Sequence, residues 1–274
     1  MRARDPHRFV NELDEAAVER LVARLESRAK DTAFARLFDK YVTRLTLPPS
    51  AQVLEIGCGT GAMTRFLARR GDFISGKVFG VDQCPQFIEA AGRFAQEEHV
   101  SERIDFRIGD AHSLDFPPAT FDAVIAHTLI SHVTEPTRVV REMARVVRPG
   151  GTVVIFDGDY ASLTYAFADH DFGHQMDVAL ANATFNNPRV MRDLPRLLPE
   201  LGLKMAAAWG DAVVEIGKGS YFKSFAETYA PSVTRAGLLP AEAVEAWLAA
   251  QQQSMEDGTF FASCNYYTYL ARRI

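Results

Sequence analysis

The stretch Gln52 to Arg69, QVLEIGCGTGAMTRFLAR, constrains this chain more than any other. Val53, Leu54 and Ile56 read as a buried strand, Gly57, Gly59 and Gly61 alternate directly after it, and Met63, Phe66 and Leu67 then recur at helical spacing. That is a strand, a tight turn and a helix. Glycine is needed in the turn because the chain must leave the strand edge sharply and let a ligand lie against bare backbone, while the helix beyond offers unpaired N–H groups. Two ligand classes use such a turn. Gly57, Gly59 and Ala62 fit the dinucleotide pattern G-x-G-x-x-G/A, whereas Glu55, Gly57, Gly59 and Gly61 fit E-x-G-x-G-x-G.

Glu55 separates the two. A carboxylate two residues before the first glycine would repel a pyrophosphate but suits a ligand carrying an ammonium and a sulfonium. The string VLEIGCGTG resembles the first motif of class I S-adenosylmethionine (SAM) dependent methyltransferases, particularly the ubiquinone/menaquinone C-methyltransferase-like (type 11) group. The resemblance implies an α/β fold: a Rossmann-like, seven-stranded, mostly parallel sheet closed at one edge by an antiparallel hairpin, with N-terminal helices and helical insertions forming a lid. It also implies SAM as cofactor, held at this turn by Glu55, Gly57, Cys58, Gly59, Thr60 and Gly61.

Composition agrees without deciding. With 274 residues, 47% hydrophobic and 24% charged, the chain suits one large α/β domain with appended helices. Net charge is −5 and no Lys/Arg run exceeds a pair, which disfavours a nucleic-acid partner. Cys58 and Cys84 fall in expected ligand-side loops and Cys264 in an expected strand, so no disulfide framework is implied. The N-terminus turns acidic before any apolar run develops, and no apolar stretch approaches a membrane span. The expectation is a soluble cytoplasmic protein with a small-molecule substrate and no membrane partner; a homodimer is left open.

Residues 11–30 carry an amphipathic helical pattern with Leu13, Val18, Leu21, Val22 and Leu25, and a second helix is expected from Thr32 to about Leu45 with Phe34, Leu37, Phe38 and Tyr41 on one face. Helices in this position commonly fold over cofactor and substrate in the family, which makes Tyr41 a candidate pocket residue. The apolar strand Lys77 to Val81 ends at Asp82, about 20 residues beyond the glycines, where an acid grips ribose hydroxyls in nucleotide-binding folds. By resemblance Asp82 is the ribose acid and Gln83 lies against the adenine. After a helix from Pro85 to Glu98, the strand Ile104 to Ile108 ends in Gly109-Asp110-Ala111, like the family's G-D-A segment, in which the Asp accepts from the adenine amino group and the next backbone N–H meets the ring. The fourth strand, Phe121 to Ala126, opens into His127, which should face the cofactor or the transfer site, and His132; both are candidate catalytic residues, with loop fixation the alternative for His132. A helix from Pro136 stops at Arg148-Pro149-Gly150-Gly151, and TVVIFD supplies a fifth strand.

Beyond it the pattern loosens. Asp157 and Tyr160 project from the ligand edge, and residues 161–187 are expected to form a helical insertion containing His170, His174 and Asn186 as polar substrate contacts. A metal on His170 and His174 with Asp157 or Asp177 is weighed and set aside, because Gly173 weakens the helix between them and no H-E-x-x-H pattern occurs. A helix from Arg189 to Leu201 follows, then a strand from Leu203 to Ile216 broken near Gly210, two helices over 218–258 contributing Tyr221 and Phe225 to the pocket, and a closing strand from Thr259 to Leu270. The organisation expected is a helical segment at 1–48, a SAM-binding core at 49–217 with an insertion at 160–187, a lid at 218–258 and the closing strand at 259–274. The two insertions should make a mobile, mainly helical cover that sets substrate identity.

The expected activity is methyl transfer to a small, partly apolar metabolite, with O, N or C as acceptor. Ala126-His127-Thr128-Leu129 replaces the Asn/Asp-Pro-Pro-Tyr/Phe segment that methylation of an exocyclic nucleic-acid amine calls for. Two alternatives are a SAM-binding enzyme of cyclisation or elimination, and a protein or nucleic-acid methyltransferase.

Overall fold

A computed structural model describes residues 14–71 and 75–274. Leu13, part of the first expected helix, lies outside them. Two N-terminal helices, α1 (Glu15–Lys30) and α2 (Thr32–Val42), precede the sheet; Asp14 and Asp31 cap their first turns by accepting from backbone N–H groups. The strand β1 (Gln52–Ile56) then enters α3 (Ala62–Ala68), β2 (Lys77–Asp82) enters α4 (Pro85–Glu97), β3 (Ile104–Ile108) follows, and β4 (Phe121–His127) leads to α5 (Pro136–Val146). The remainder is β5 (Val147–Tyr165), α6 (His170–Thr184), α7 (Leu194–Glu200), β6 (Leu203–Gly217), α8 (Tyr221–Arg235), α9 (Ala241–Glu256) and β7 (Phe260–Arg273).

The seven strands stand in the order β3-β2-β1-β4-β5-β7-β6. The first five are parallel, and β7 runs antiparallel to both β5 and β6. Strand order reverses between β1 and β4, so their carboxyl ends, at Gly57 and His127, flank the crevice where open α/β sheets take ligands. Both strands are covered on two faces, which is why they read as continuous apolar runs rather than alternating ones. Val53, Ala123, Ile125 and Val154 pack on the face covered by α2, α3, α6 and α8; Leu54, Ile56, Val124 and Val153 pack on the face covered by α5 and α7.

Three expectations are corrected. The 160–187 segment is not helical from its start: β5 continues to Tyr165, re-pairing Thr164 and Tyr165 with Ser263 and Ala262 of β7 after a bulge. Aromatic and β-branched side chains favour the strand, and the Ser162 hydroxyl closes the bulge by donating to Asp159 O at 2.6 Å and accepting from Asn265 N at 2.9 Å. The β6 strand is not broken at Gly210, which pairs with Tyr267; a Cβ there would meet the Tyr267 ring at 2.8 Å, so this glycine makes room for that ring, and the irregularity falls between Met205 and Ala207 instead. The helix expected from Arg189 to Leu201 is a 3-10 turn at Val190–Arg192 followed by α7, whose Pro195, lacking an N–H, fits only the first turn of a new helix.

Candidate cofactor and acceptor site

The glycine turn has the left-handed backbone its sequence demands: φ is +66° at Gly57, +53° at Gly59 and +73° at Gly61. A Cβ on Gly61 would meet the Phe106 ring at 2.5 Å, and one on Gly57 would meet the tip of Leu129 at the same distance, so a side chain at either position must displace its neighbour as well as adopt a left-handed backbone. Asp82 ties this turn to the next one. Its carboxylate accepts from Gly59 N and from Cys84 N, both at 2.9 Å. Burial pushes its pKa up, against the pull of these N–H groups.

Glu55 is buried in the β1 strand and accepts a very short hydrogen bond from the Thr64 hydroxyl. Burial, with the Asp82 charge adding to it, raises its pKa to about 8, although the Thr64 bonds work the other way. Such a carboxyl is costly to ionise until a cation is brought to it. The α1 helix closes over the turn through Glu26, whose two oxygens accept from Thr60 Oγ1 at 2.6 Å and from Arg65 Nη2 at 2.7 Å. Arg65 also donates to Glu98 at 2.9 Å, so this buried guanidinium is neutralised from two sides. Asp110 sits at the rim, 63% exposed, and holds His112 through N at 2.8 Å and Nδ1 at 2.7 Å. Cys58, Cys84 and Cys264 are all free and buried.

At the end of β4, His127 Nδ1 lies 2.8 Å from Tyr41 Oη, its ring stacked 4.7 Å from Phe156. Burial, and after it the Arg28 charge, hold its pKa well below the usual histidine value, so the imidazole is neutral at pH 7. The next residue, Thr128, has φ +52°, a strained conformation for a β-branched side chain. It is held by its N–H donating to Phe156 O at 2.6 Å and by Arg28 Nη2 donating to Thr128 Oγ1 at 2.7 Å.

One continuous cavity of about 540 Å³ joins these parts. Its walls include Glu55, Gly57, Cys58, Gly59, Thr60, Asp82, Gln83, Asp110, Ala111, His127 and His132 on one side, and Tyr160, Tyr221 and Phe225 on the other. The aromatic wall is tightly built: the Tyr160 ring stacks 3.4 Å from Phe185, Phe225 lies 4.7 Å from Tyr229, and the Tyr221 hydroxyl meets that of Tyr266 at 2.7 Å.

Five expected contacts lie elsewhere. Tyr41 is fully buried behind the wall and meets the cavity through the residues in front of it, His127, Met63 and Phe38. Asp157 is fully buried and accepts from Ser131 N at 2.9 Å and Gly158 N at 2.8 Å. Asn186 donates to His132 O and Asn187 to Val133 O, so with Asp157 they shape the 131–133 loop from behind. His170 and His174 are exposed, because Gly173, Met176, Asp177 and Leu180 occupy the buried face of α6. Phe34 and Phe38, expected on the inner face of the second helix, and Tyr229 line the cavity, as do Arg24, Glu26 and Arg28, to which the sequence assigned no role; the α1 face carrying Arg24 and Arg28 is polar, and its contact with α8 and Thr128 reveals it as a wall.

A family model described as a methyltransferase domain matches residues 54–155, from β1 into β5. Phosphatidylethanolamine N-methyltransferase of Cereibacter sphaeroides is 37% identical over 141 residues, covering 48% of this chain and 67% of that protein. The 27-O-demethylrifamycin SV methyltransferase of Amycolatopsis mediterranei is 33% identical over 132 residues, 48% of this chain and 47% of its own length, so the chain spans about half of that relative. Among solved structures, the 4+2 cyclase SpnF shares the fold with a TM-score of 0.56 at 24% identity, over 87% of this chain and 80% of that one.

Proposed function

This chain belongs to the class I SAM-dependent methyltransferases of the type 11 group, with SAM as cofactor, and from that premise we propose that it transfers a methyl group to a small, partly apolar molecule. The observation that carries the reading is the continuity of the cavity: a carboxylate-lined, glycine-walled end opens without a partition into an aromatic end.

SAM supplies a methyl group already activated by its positive sulfur, so what this chain must do is chiefly bind and orient. Glu55, ionised on binding, faces the ammonium end; Gly57, Cys58, Gly59, Thr60 and Gly61 present bare backbone. Each Asp82 oxygen holds one backbone N–H and keeps capacity for a ribose hydroxyl. Gln83, Asp110 and Ala111 take the adenine. His127 is the candidate group for removing a proton from the acceptor, neutral as a base must be and held by Tyr41. The depression of its pKa makes it a weak base, which suits an acceptor that loses its proton late or needs little help. His132 is a second candidate from the neighbouring loop.

Tyr160, Tyr221 and Phe225 meet the acceptor, and α8 with the end of β5 forms its cover, backed by α6 and α9. The rifamycin and phosphatidylethanolamine relatives, by their names, act on molecules with large apolar parts, in keeping with such a wall. A nucleic-acid substrate is disfavoured by the net charge of −5 and the lack of a basic run. No helix among the described residues is long and apolar enough to cross a membrane. A homodimer is compatible with this reading.

Incubation with methyl-labelled SAM and a metabolite extract tests the function directly: label should move to a small product. SAM bound but unspent, with extract components converted without label, would favour instead a cyclising enzyme on the same fold. A cover that opens for entry should exchange its amide hydrogens faster than β1 and β4 and slow when S-adenosylhomocysteine is bound; equal protection without ligand would reject it.

A further inference from the structure

Four arginines line the cavity, and they are not alike: Arg69, at its mouth, is paired with Glu98. Arg65 is matched by Glu26 and Glu98. Arg24 and Arg28, both half-buried on α1, have no carboxylate within ion-pair distance among the described residues. Arg24 Nη1 donates to Ser224 Oγ at 2.7 Å, and its guanidinium carbon lies 4.8, 5.5 and 5.7 Å from the ring centres of Tyr229, Phe225 and Tyr221. Arg28 donates to Thr128 Oγ1 and lies 5.7 Å from the Phe34 ring. Four residues apart on one helix, the two project from the same face, and both line the cavity.

Hydroxyls and ring faces compensate a guanidinium only in part. Each carries five N–H donors, more than the single hydroxyl bonds to Ser224 and Thr128 use, and neither neighbour brings a negative charge. An anion entering beside them would supply the missing charge and meet guanidinium donors able to give two parallel hydrogen bonds. The opposite end of the cavity, with Glu55 and Asp82, is acidic. The site is therefore polarised along its length.

We infer that the acceptor is an apolar or aromatic molecule bearing an anionic group, a carboxylate or a phosphate, and that Arg24 with Arg28 receives that group. The inference rests on the methyl-transfer reading and names the substrate class it leaves open. Two rival roles are testable. Arg24 could serve only to fasten α1 to α8, and Arg28 could serve the carboxylate of SAM itself.

The test uses the full chain saturated with S-adenosylhomocysteine, so that the cofactor's own carboxylate is already seated. Benzoate and phenyl phosphate are titrated by calorimetry against benzamide and benzyl alcohol, which have the same ring without the charge. The anionic probes should bind about tenfold or more tighter than their neutral partners. Arg24→Gln should remove most of that margin, Arg24→Lys should keep part of it, and neither should alter S-adenosylhomocysteine affinity. Whichever of benzoate and phenyl phosphate binds more tightly distinguishes carboxylate from phosphate. In parallel, labelled product from the extract is separated by anion exchange and should elute with the acids. Neutral probes binding as well as anionic ones, no probe binding at all, or an anionic margin that survives Arg24→Gln combined with Arg28→Gln would each overturn the inference, as would label found only in neutral product. A lower melting temperature in Arg24→Gln with the margin intact assigns Arg24 to fastening alone and likewise overturns it. Failure of S-adenosylhomocysteine to bind at all would strike the proposed function instead.

Discussion

The two ends of the cavity are made by different means. The acidic end is built from turns: Gly57 to Gly61, Asp82 to Cys84 and Gly109 to His112 each close within a few residues of a strand end, and the sheet sets the turns side by side. The aromatic end is built from side chains that meet across long stretches of chain, as Arg24 meets Ser224 and Tyr221 meets Tyr266. Backbone turns tolerate little variation, because a Cβ at Gly57 or Gly61 collides at once. Packed rings can be exchanged one at a time. The same scaffold can thus keep one ligand at the first end while the second end changes.

If the ends are separable, mutations should divide between them. The largest effect is expected at Phe225, which is buried against Tyr160, Phe185, Tyr221 and Tyr229. Phe225→Ala should cost about 3–5 kcal/mol of stability in a denaturant titration and raise the acceptor KM, yet leave S-adenosylhomocysteine affinity within about twofold. A parallel loss of cofactor affinity would show the ends to be one cooperative unit. Asp82→Ala should do the reverse, weakening SAM binding by about 1–3 kcal/mol in calorimetry with little change in the aromatic wall. Unchanged affinity in a folded variant would remove Asp82 from the ribose role.

A smaller effect concerns protons. In the ligand-free protein Glu55 is protonated below about pH 8, well above the ordinary 4.5 for such a group. Because its folded pKa is raised, this carboxyl makes the ligand-free fold less stable as pH rises from about 4.5 to 8, and constant above. A cationic ligand favours the ionised form, so SAM affinity should rise with pH by at most about tenfold per unit and level off above pH 8. Calorimetry at pH 7 in buffers of different ionisation enthalpy should register close to one proton released per SAM bound, and none in Glu55→Gln. Buffer-independent heats in the wild type would contradict this. The smallest effect is expected from Tyr41→Phe, which deletes the hydroxyl at His127 Nδ1 for about 1 kcal/mol of stability. Turnover should fall more than stability if Tyr41 orients a working imidazole; equal kcat in both proteins would reduce the contact to packing.

Legibility in the sequence follows the same division. Strand ends, left-handed glycines and the two helices of 218–258 could be read locally, because periodicity and turn chemistry are local properties. The family model covers 54–155, the stretch in which the acids Glu55, Asp82 and Asp110 could be placed on one edge. Tyr41 was recognisable as facing inward, but not as standing behind His127. His170 and His174 share a helix face, yet whether that face is inner or outer depends on Met176 and Leu180 meeting the core. Arg24 and Arg28 carried no signal, since an arginine on an amphipathic helix reads as solvated until its neighbours from residues 128 and 224 are known.

The place of β7 between β5 and β6 has a consequence for the chain's birth. A ribosome delivers β1, β2, β3, β4 and β5 in turn, each after the first finding a neighbour already made, so the acidic end can assemble while synthesis continues. The neighbour shared by β5 and β6 emerges only with Phe260–Arg273. Until then both strands carry unpaired edges, each able to capture a strand from another nascent chain. The aromatic end therefore closes last: a chain halted before Phe260 would carry the turns of the acidic end without the strand whose Tyr266 holds the Tyr221 hydroxyl of the aromatic wall.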